Sequence, residues 1–184
     1  MINNLELPIE IKSLGNTGVF TGYASVFGYV DNQLDMILPG AFANTLAEKN
    51  NGRDIKLLWQ HDAAEPIGCF DTIREDDTGL YVEGRLLLEV QRGREAYNLL
   101  KSGVIKGLSI GYNVVSSDID AQSGVRLIEM LDLYEISLVT FPANDLAKVA
   151  EVKAYTNYDQ LELIKLSDAV DFAISKFHCL HEPL

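Results

Sequence analysis

"IKGLSIGYNVV", residues 105–115, sets a serine between two glycines: Gly107-Leu108-Ser109-Ile110-Gly111. Letter for letter this is G-x-S-x-G, the pattern of a hydrolase nucleophile elbow. The two readings of the stretch lead to different folds. An elbow needs a strand, a sharp turn and a helix that begins at the serine. After Ser109 come Ile110, Gly111, Tyr112, Asn113, Val114 and Val115, rich in β-branched and aromatic residues and without a helical period. The elbow order also places the histidine after the acid. Only His178 and His181 satisfy that, and both lie at the chain end, where structure is often loose. The stretch therefore predicts a strand. Ser109 is then either a small strand residue or the nucleophile of another enzyme class.

Outward from this stretch the pattern is mostly β. "LPIEIKS" (7–13) alternates apolar and polar residues, and "VFTGYASVFGYV" (19–30) comes after the turn "GNTG". Pro39, Phe42 and Leu46 predict a short helix over about residues 39–49. "RDIKLLWQHD" (53–62) reads as a strand with His61 at its end. "EPIGCFDTIRED" (65–76) and "GLYVEGRLLLE" (79–89) read as strands joined by "EDDTG". A helix is predicted from Gln91 to Ser102, closed by Gly103. Three strand candidates complete this part: "VIKGLSIGYNVVSSD" (104–118), "GVRLIEMLDL" (124–133) and "LYEISLVTFP" (133–142). Leu161, Ile164, Val170, Ile174 and Phe177 share one face of a predicted C-terminal helix. The expectation is a mainly β, α+β fold: a curved, mostly antiparallel barrel with short helices around it. It would occupy residues 1–155, with an amphipathic helix or tail over 156–184.

Bulk properties narrow the function. Lys and Arg number 15 against 27 Asp and Glu, a formal charge of -12. Such a surface repels phosphate backbones and argues against nucleic-acid binding. No apolar run nears the length of a membrane span, and the N-terminus lacks the basic and apolar blocks of a secretory signal. The reading is a cytoplasmic protein. Cys69 and Cys179 form no C-x-x-C pair, so no metal site and no cofactor are expected.

Serine acyl transfer needs a base and an orienting acid as well as the nucleophile. His61 is one of three histidines. Glu135 is a lone charge in a strand of Leu, Tyr, Ile, Val and Phe, so it is either paired or on a solvent face. Asp62, beside His61, is the alternative acid; it is discounted, unless the strand has already ended, because neighbours on an extended strand point to opposite faces. Asp35 reads as a helix cap rather than a substrate contact. Trp59 and Phe141 are expected in the core, and Cys69 as a small buried hydrophobe.

Four blocks together resemble the prohead (capsid-maturation) serine proteases of tailed bacteriophages, relatives of the herpesvirus assemblins. They are "GYASVFGYVDNQLDMILPGAF" (22–42), "LLWQHDAAEPIG" (57–68), "KGLSIGYNV" (106–114) and "LYEISLVTFPAN" (133–144). The resemblance implies a curved barrel with surrounding helices. It implies a serine endopeptidase that cuts the scaffolding portion of the major capsid protein inside the procapsid, in the bacterial host cytoplasm, and also cuts itself. Its histidine maps onto His61, its serine onto Ser109 and its acidic residue onto Glu135. The herpesvirus second histidine has no counterpart between Ser109 and His178. A homodimer or higher oligomer is a further expectation. Two other readings stand beside it: an ester hydrolase using Ser109 with His178 or His181, and a non-catalytic capsid-assembly scaffold. The loop "TFPAND" (140–145) is either a source of oxyanion donors or a plain turn.

Overall fold

A computed structural model of the chain describes residues 17–152. The predicted strand over 7–13, the predicted C-terminal helix, the boundary at residue 155, His178, Cys179 and His181 all lie outside the described residues. Within them, eight strands and two α-helices run in the order β1 (Val19–Val26), β2 (Asp35–Ile37), α1 (Ala43–Glu48), β3 (Lys56–Trp59), β4 (Asp62–Glu75), β5 (Gly79–Leu86), α2 (Gln91–Lys101), β6 (Gly107–Ile119), β7 (Arg126–Val139) and β8 (Val149–Val152).

These eight strands belong to one sheet, in the order β2-β7-β3-β4-β5-β1-β8, with β6 paired to β7. The sheet curls until its ends meet. Tyr23 N–H of β1 donates to the Lys148 carbonyl, and Leu108 N–H of β6 donates to that of Ala147. Val149 N–H, at the start of β8, donates to the carbonyl of Lys106 just before β6. The expected curved barrel with short helices is the fold observed. Most pairings are antiparallel, but β2 and β3 both run parallel to β7.

β7 is the axis of the molecule. It pairs with β6 from Arg126 to Val139 along one edge, and with β2 and then β3 along the other. The sequence divided this stretch into two strands at about Leu133. The structure has one strand of 14 residues, in which Tyr134 is an extra residue without an opposite number on β6. Such a bulge shifts the alternation by one residue, which breaks the two-residue pattern without ending the strand. Both faces of the second half are covered: Ile136, Ser137 and Leu138 are fully buried. A strand buried on both faces reads as a continuous apolar run, as "ISLV" does.

The core gathers Phe20, Leu57, Ile67, Leu80, Val82, Ile136 and Leu138, each fully buried. Truncating one such aliphatic side chain to alanine costs about 2–5 kcal/mol. Helix α1 is tied to β7 by Thr45, whose hydroxyl donates to the Leu131 carbonyl and accepts from Leu133 N–H. β2 and β8 were not predicted; they are three and four residues long, too short to leave a periodic signal. Among the described residues no helix is long and apolar enough to cross a membrane.

Two packing expectations are overturned. Phe141 is 89% exposed, because it lies beyond β7 on the loop leading to β8. Cys69 is exposed on β4, whose buried side chains are Ile67, Phe70 and Ile73. Trp59 is half-buried against the core, with the Arg92 guanidinium 5.8 Å from its ring centre.

Candidate active site

An open cleft of about 810 Å³ lies against β6 and β7. His61, Ser109 and Glu135 all line it, together with Leu58, Gly111 and Tyr112. Register explains the convergence. On β6 and β7, Ser109 faces Ser137 and Gly111 faces Glu135; on the other edge of β7, Leu58 of β3 faces Ser137. β3 ends one residue later, so the turn after it delivers His61 beside Glu135.

That turn is unusual. Trp59 pairs with Asp62, leaving Gln60 and His61 as a two-residue hairpin loop with φ of 53° and 61°. Positive φ at both central positions is the mark of a type I′ turn, which normally takes Asn-Gly. A non-glycine residue in this region costs on the order of 1 kcal/mol and persists where its surroundings impose it. Here Gln60 N–H donates to the Leu138 carbonyl, and His61 N–H donates to the Ser137 hydroxyl. The Gln60 amide also donates to Thr140 Oγ1 and accepts from Thr140 N–H.

Glu135 is buried at 4% exposure, and it is paired rather than solvated. Its Oε1 lies 2.7 Å from His61 Nδ1, and its Oε2 accepts the Ser137 hydroxyl at 2.7 Å. An ionised carboxylate only accepts, so His61 Nδ1 carries the hydrogen and Nε2 is left as the base of the neutral ring. The hydrogen bond to Glu135 raises the His61 pKa above its usual value, against the opposing effect of partial burial. Ser109 is 8% exposed at the start of β6, on the face that carries Glu135 and Ser137.

The glycines of G-L-S-I-G have local reasons unrelated to an elbow. A β-carbon on Gly111 would overlap the Glu135 carboxylate; one on Gly107 would lie 2.9 Å from Pro142 Cδ. β6 then continues to Ile119, so no helix begins at Ser109.

Other candidates fall elsewhere. Asp62 is exposed and accepts from Ala64 N–H in its own turn. Strand β3 has already ended at Trp59, the case in which alternation of faces does not exclude Asp62; its carboxylate is instead engaged in its own turn. Asp35 does not cap a helix. It sits in β2 at 2% exposure, bound by Arg126 through Nε at 2.8 Å and Nη2 at 2.6 Å, and it accepts the Tyr112 hydroxyl. Burial first, and then Asp35, push the Tyr112 pKa upward. The 140–145 loop is anchored rather than free: Asn144 donates to the Val26 carbonyl, and Ala143 accepts from Asn32 N–H. Ala143 and Asn144 line the cleft. Sequence reasoning missed Ser137, Gln60 and Thr140. A serine in a buried strand and a glutamine in a turn carry no chemical signature, and no spacing rule would have singled them out.

Comparison with known proteins gives the family of the chain. Residues 6–161 match the caudovirus prohead serine protease family. The chain is 34% identical over 175 residues to the prohead protease of Enterobacteria phage HK97, covering 93% of this chain and 77% of that one. It is 29% identical over 166 residues to the prohead protease of Escherichia phage T5, covering 88% and 76%. The fold resembles that of the bacteriophage T4 capsid assembly protease, with a TM-score of 0.52 and 12% identity over 66% of this chain and 82% of that one. A curled sheet, a histidine–glutamate pair and a serine in one cleft thus occur in a chain that belongs to the caudovirus prohead serine protease family.

Proposed function

We propose that this protease cleaves the scaffolding portion of a major capsid protein precursor within the procapsid, in the host cytoplasm, and that it also cuts its own chain. Ser109, His61 and Glu135 carry the reaction. The observation that supports this most directly is the 2.7 Å contact between His61 Nδ1 and the buried Glu135 in the cleft that Ser109 lines.

That tautomer sets the chemistry. Ser109 Oγ attacks the scissile carbonyl and forms a C–O bond as its proton passes to His61 Nε2. Glu135 stabilises the resulting imidazolium without taking the proton. The C–N bond then breaks, and the leaving amine takes the proton from His61. Water, deprotonated by the same nitrogen, hydrolyses the acyl-enzyme and frees Ser109. Family membership in the prohead proteases supports a capsid protein as the substrate.

Co-expression with the cognate capsid precursor tests the proposal. Wild type is expected to shorten the precursor on a gel, and Ser109→Ala and His61→Ala to leave it intact. Mass spectrometry of the protease itself reads self-cleavage: a chain shortened in wild type and full-length in Ser109→Ala. An intact precursor with wild type would overturn the substrate, and a shortened one with Ser109→Ala the nucleophile.

A further inference from the structure

The turn that carries His61 breaks the rule for its type, and its first residue is held from outside the turn. Gln60 adopts φ 53° where asparagine or glycine is the usual choice. Its side chain makes a reciprocal pair with Thr140: amide Nε2 to Oγ1 at 2.9 Å, and Thr140 N–H to Oε1 at 3.3 Å. Thr140 comes directly after β7, the strand that carries Glu135 and Ser137. Backbone bonds of Gln60 to Leu138 and of His61 to Ser137 complete the attachment. The two residues of the turn are therefore fastened to the strand that holds the acid.

We infer that Gln60 is a positioning residue for His61: by clamping Thr140, it holds the His61 turn against β7 so that Nδ1 meets Glu135. This rests on the assignment of His61 and Glu135 given above. Gln60 is exposed and adds nothing to the core, so a purely structural role predicts little from its loss. A positioning role predicts a large one, since misplacing a catalytic group by about 1 Å costs roughly 100-fold in rate.

The test uses the purified protein and a fluorophosphonate probe, which reacts with an activated serine. Labelling rate against pH, melting temperature and the His61 imidazole titration by NMR are measured for wild type, Gln60→Ala, Gln60→Asn, Thr140→Val and the double variant Gln60→Ala/Thr140→Val. Asparagine suits a turn with positive φ but is too short for the same clamp.

Gln60→Ala and Thr140→Val should each lower the plateau labelling rate about 10–100-fold with little change in melting temperature. Gln60→Asn should melt no lower than wild type and still label slowly. The double variant should be no slower than the worse single one, because both remove the same contact. The His61 titration should move down in each variant, as contact with Glu135 loosens. Wild-type labelling and titration in the Gln60 variants would overturn the inference, as would additive losses in the double variant. Labelling that survives Ser109→Ala, or a wild type that does not label, overturns the active-site assignment itself, and the role of Gln60 falls with it.

Discussion

Gly111 and Glu135 face each other across β6 and β7, and the side chain that Gly111 lacks is the space that the Glu135 carboxylate fills. The carboxylate is thereby kept over the strand that also carries Ser109, with one oxygen on His61 and the other on Ser137. Gly111→Ala is expected to push Glu135 off His61. Overpacking of this kind costs about 1–3 kcal/mol, which for a chain of this size lowers the melting temperature by roughly 2–4 °C per kcal/mol. Probe labelling of Ser109 should fall further than the folded fraction does. Unchanged labelling would mean that the carboxylate finds another route to the imidazole.

Glu135→Gln tests the acid through pH. In wild type the Glu135 hydrogen bond raises the His61 pKa, so activity, which needs the neutral ring, rises with pH through a midpoint above the ordinary value near about 6.5. Removing the carboxylate takes away the largest cause and leaves partial burial, which acts downward. The midpoint should move to lower pH while the plateau drops by as much as about 10⁴-fold, since an amide can hold the wrong tautomer. Stability has the opposite sense in pH. A raised folded-state pKa stabilises fully below the unfolded value and loses that contribution as pH rises through the folded one. The melting-temperature advantage of wild type over Glu135→Gln from this source should therefore shrink as pH rises from about 6.5, the ordinary value, through the raised folded-state one. A midpoint that stays put would remove Glu135 from the base.

Two buried serines of one region should answer alanine substitution in opposite ways. Ser137 is fully buried, donating to Glu135 and accepting from His61 N–H. Ser137→Ala strands both partners, and each unsatisfied buried group costs about 1–3 kcal/mol. Melting should drop and labelling should slow. Ser25, in the wall of the same cleft, carries the one buried side-chain oxygen without a hydrogen-bond partner among the described residues. Ser25→Ala removes a polar group that gains nothing, so stability should hold or rise by about 1 kcal/mol. Thermal melting of the two variants side by side decides it.

Asp35 depends on Arg126. Replacing Arg126 with Met leaves a carboxylate at 2% exposure with only the Tyr112 hydroxyl to hold its side chain. Breaking a buried pair costs about 3–5 kcal/mol. The Arg126 side chain is 43% exposed, so the lower end of that range is expected in chemical denaturation. Asp35→Asn combined with Arg126→Met should recover most of the loss, because the stranded charge is gone. A double variant as unstable as Arg126→Met alone would show that packing, not charge, is what Arg126 supplies.

Phe141→Ser should leave stability within about 0.5 kcal/mol of wild type, the usual range for exposed positions. A loss of several kcal/mol in a denaturant titration would return Phe141 to the core.

Several features of this protein were legible from residue order. The strand composition after Ser109 was enough to reject the elbow, and the curved β fold with short helices could be read from alternation, glycines and turn residues. The lone charge at Glu135 marked either a pair or a solvent face, and the family blocks placed His61, Ser109 and Glu135 together. These are local signals: periodicity, composition and motif are properties of neighbours in the chain.

What the tertiary structure decided depends on which strand lies beside which. Only the β6–β7 register turns Gly111 into room for Glu135, and only the parallel pairing of β3 with β7 brings the Gln60–His61 turn onto Ser137 and Thr140. Asp35 read as a cap because nothing in the chain near it announces Arg126, 91 residues away. The bulge at Tyr134 concealed a single long strand because one unpaired residue inverts the alternation that sequence reading relies on. Residue order thus fixed the kinds of elements and the candidate chemistry. Contacts between residues distant in the chain, set by register and by a bulge of one residue, decided which carboxylate meets the histidine.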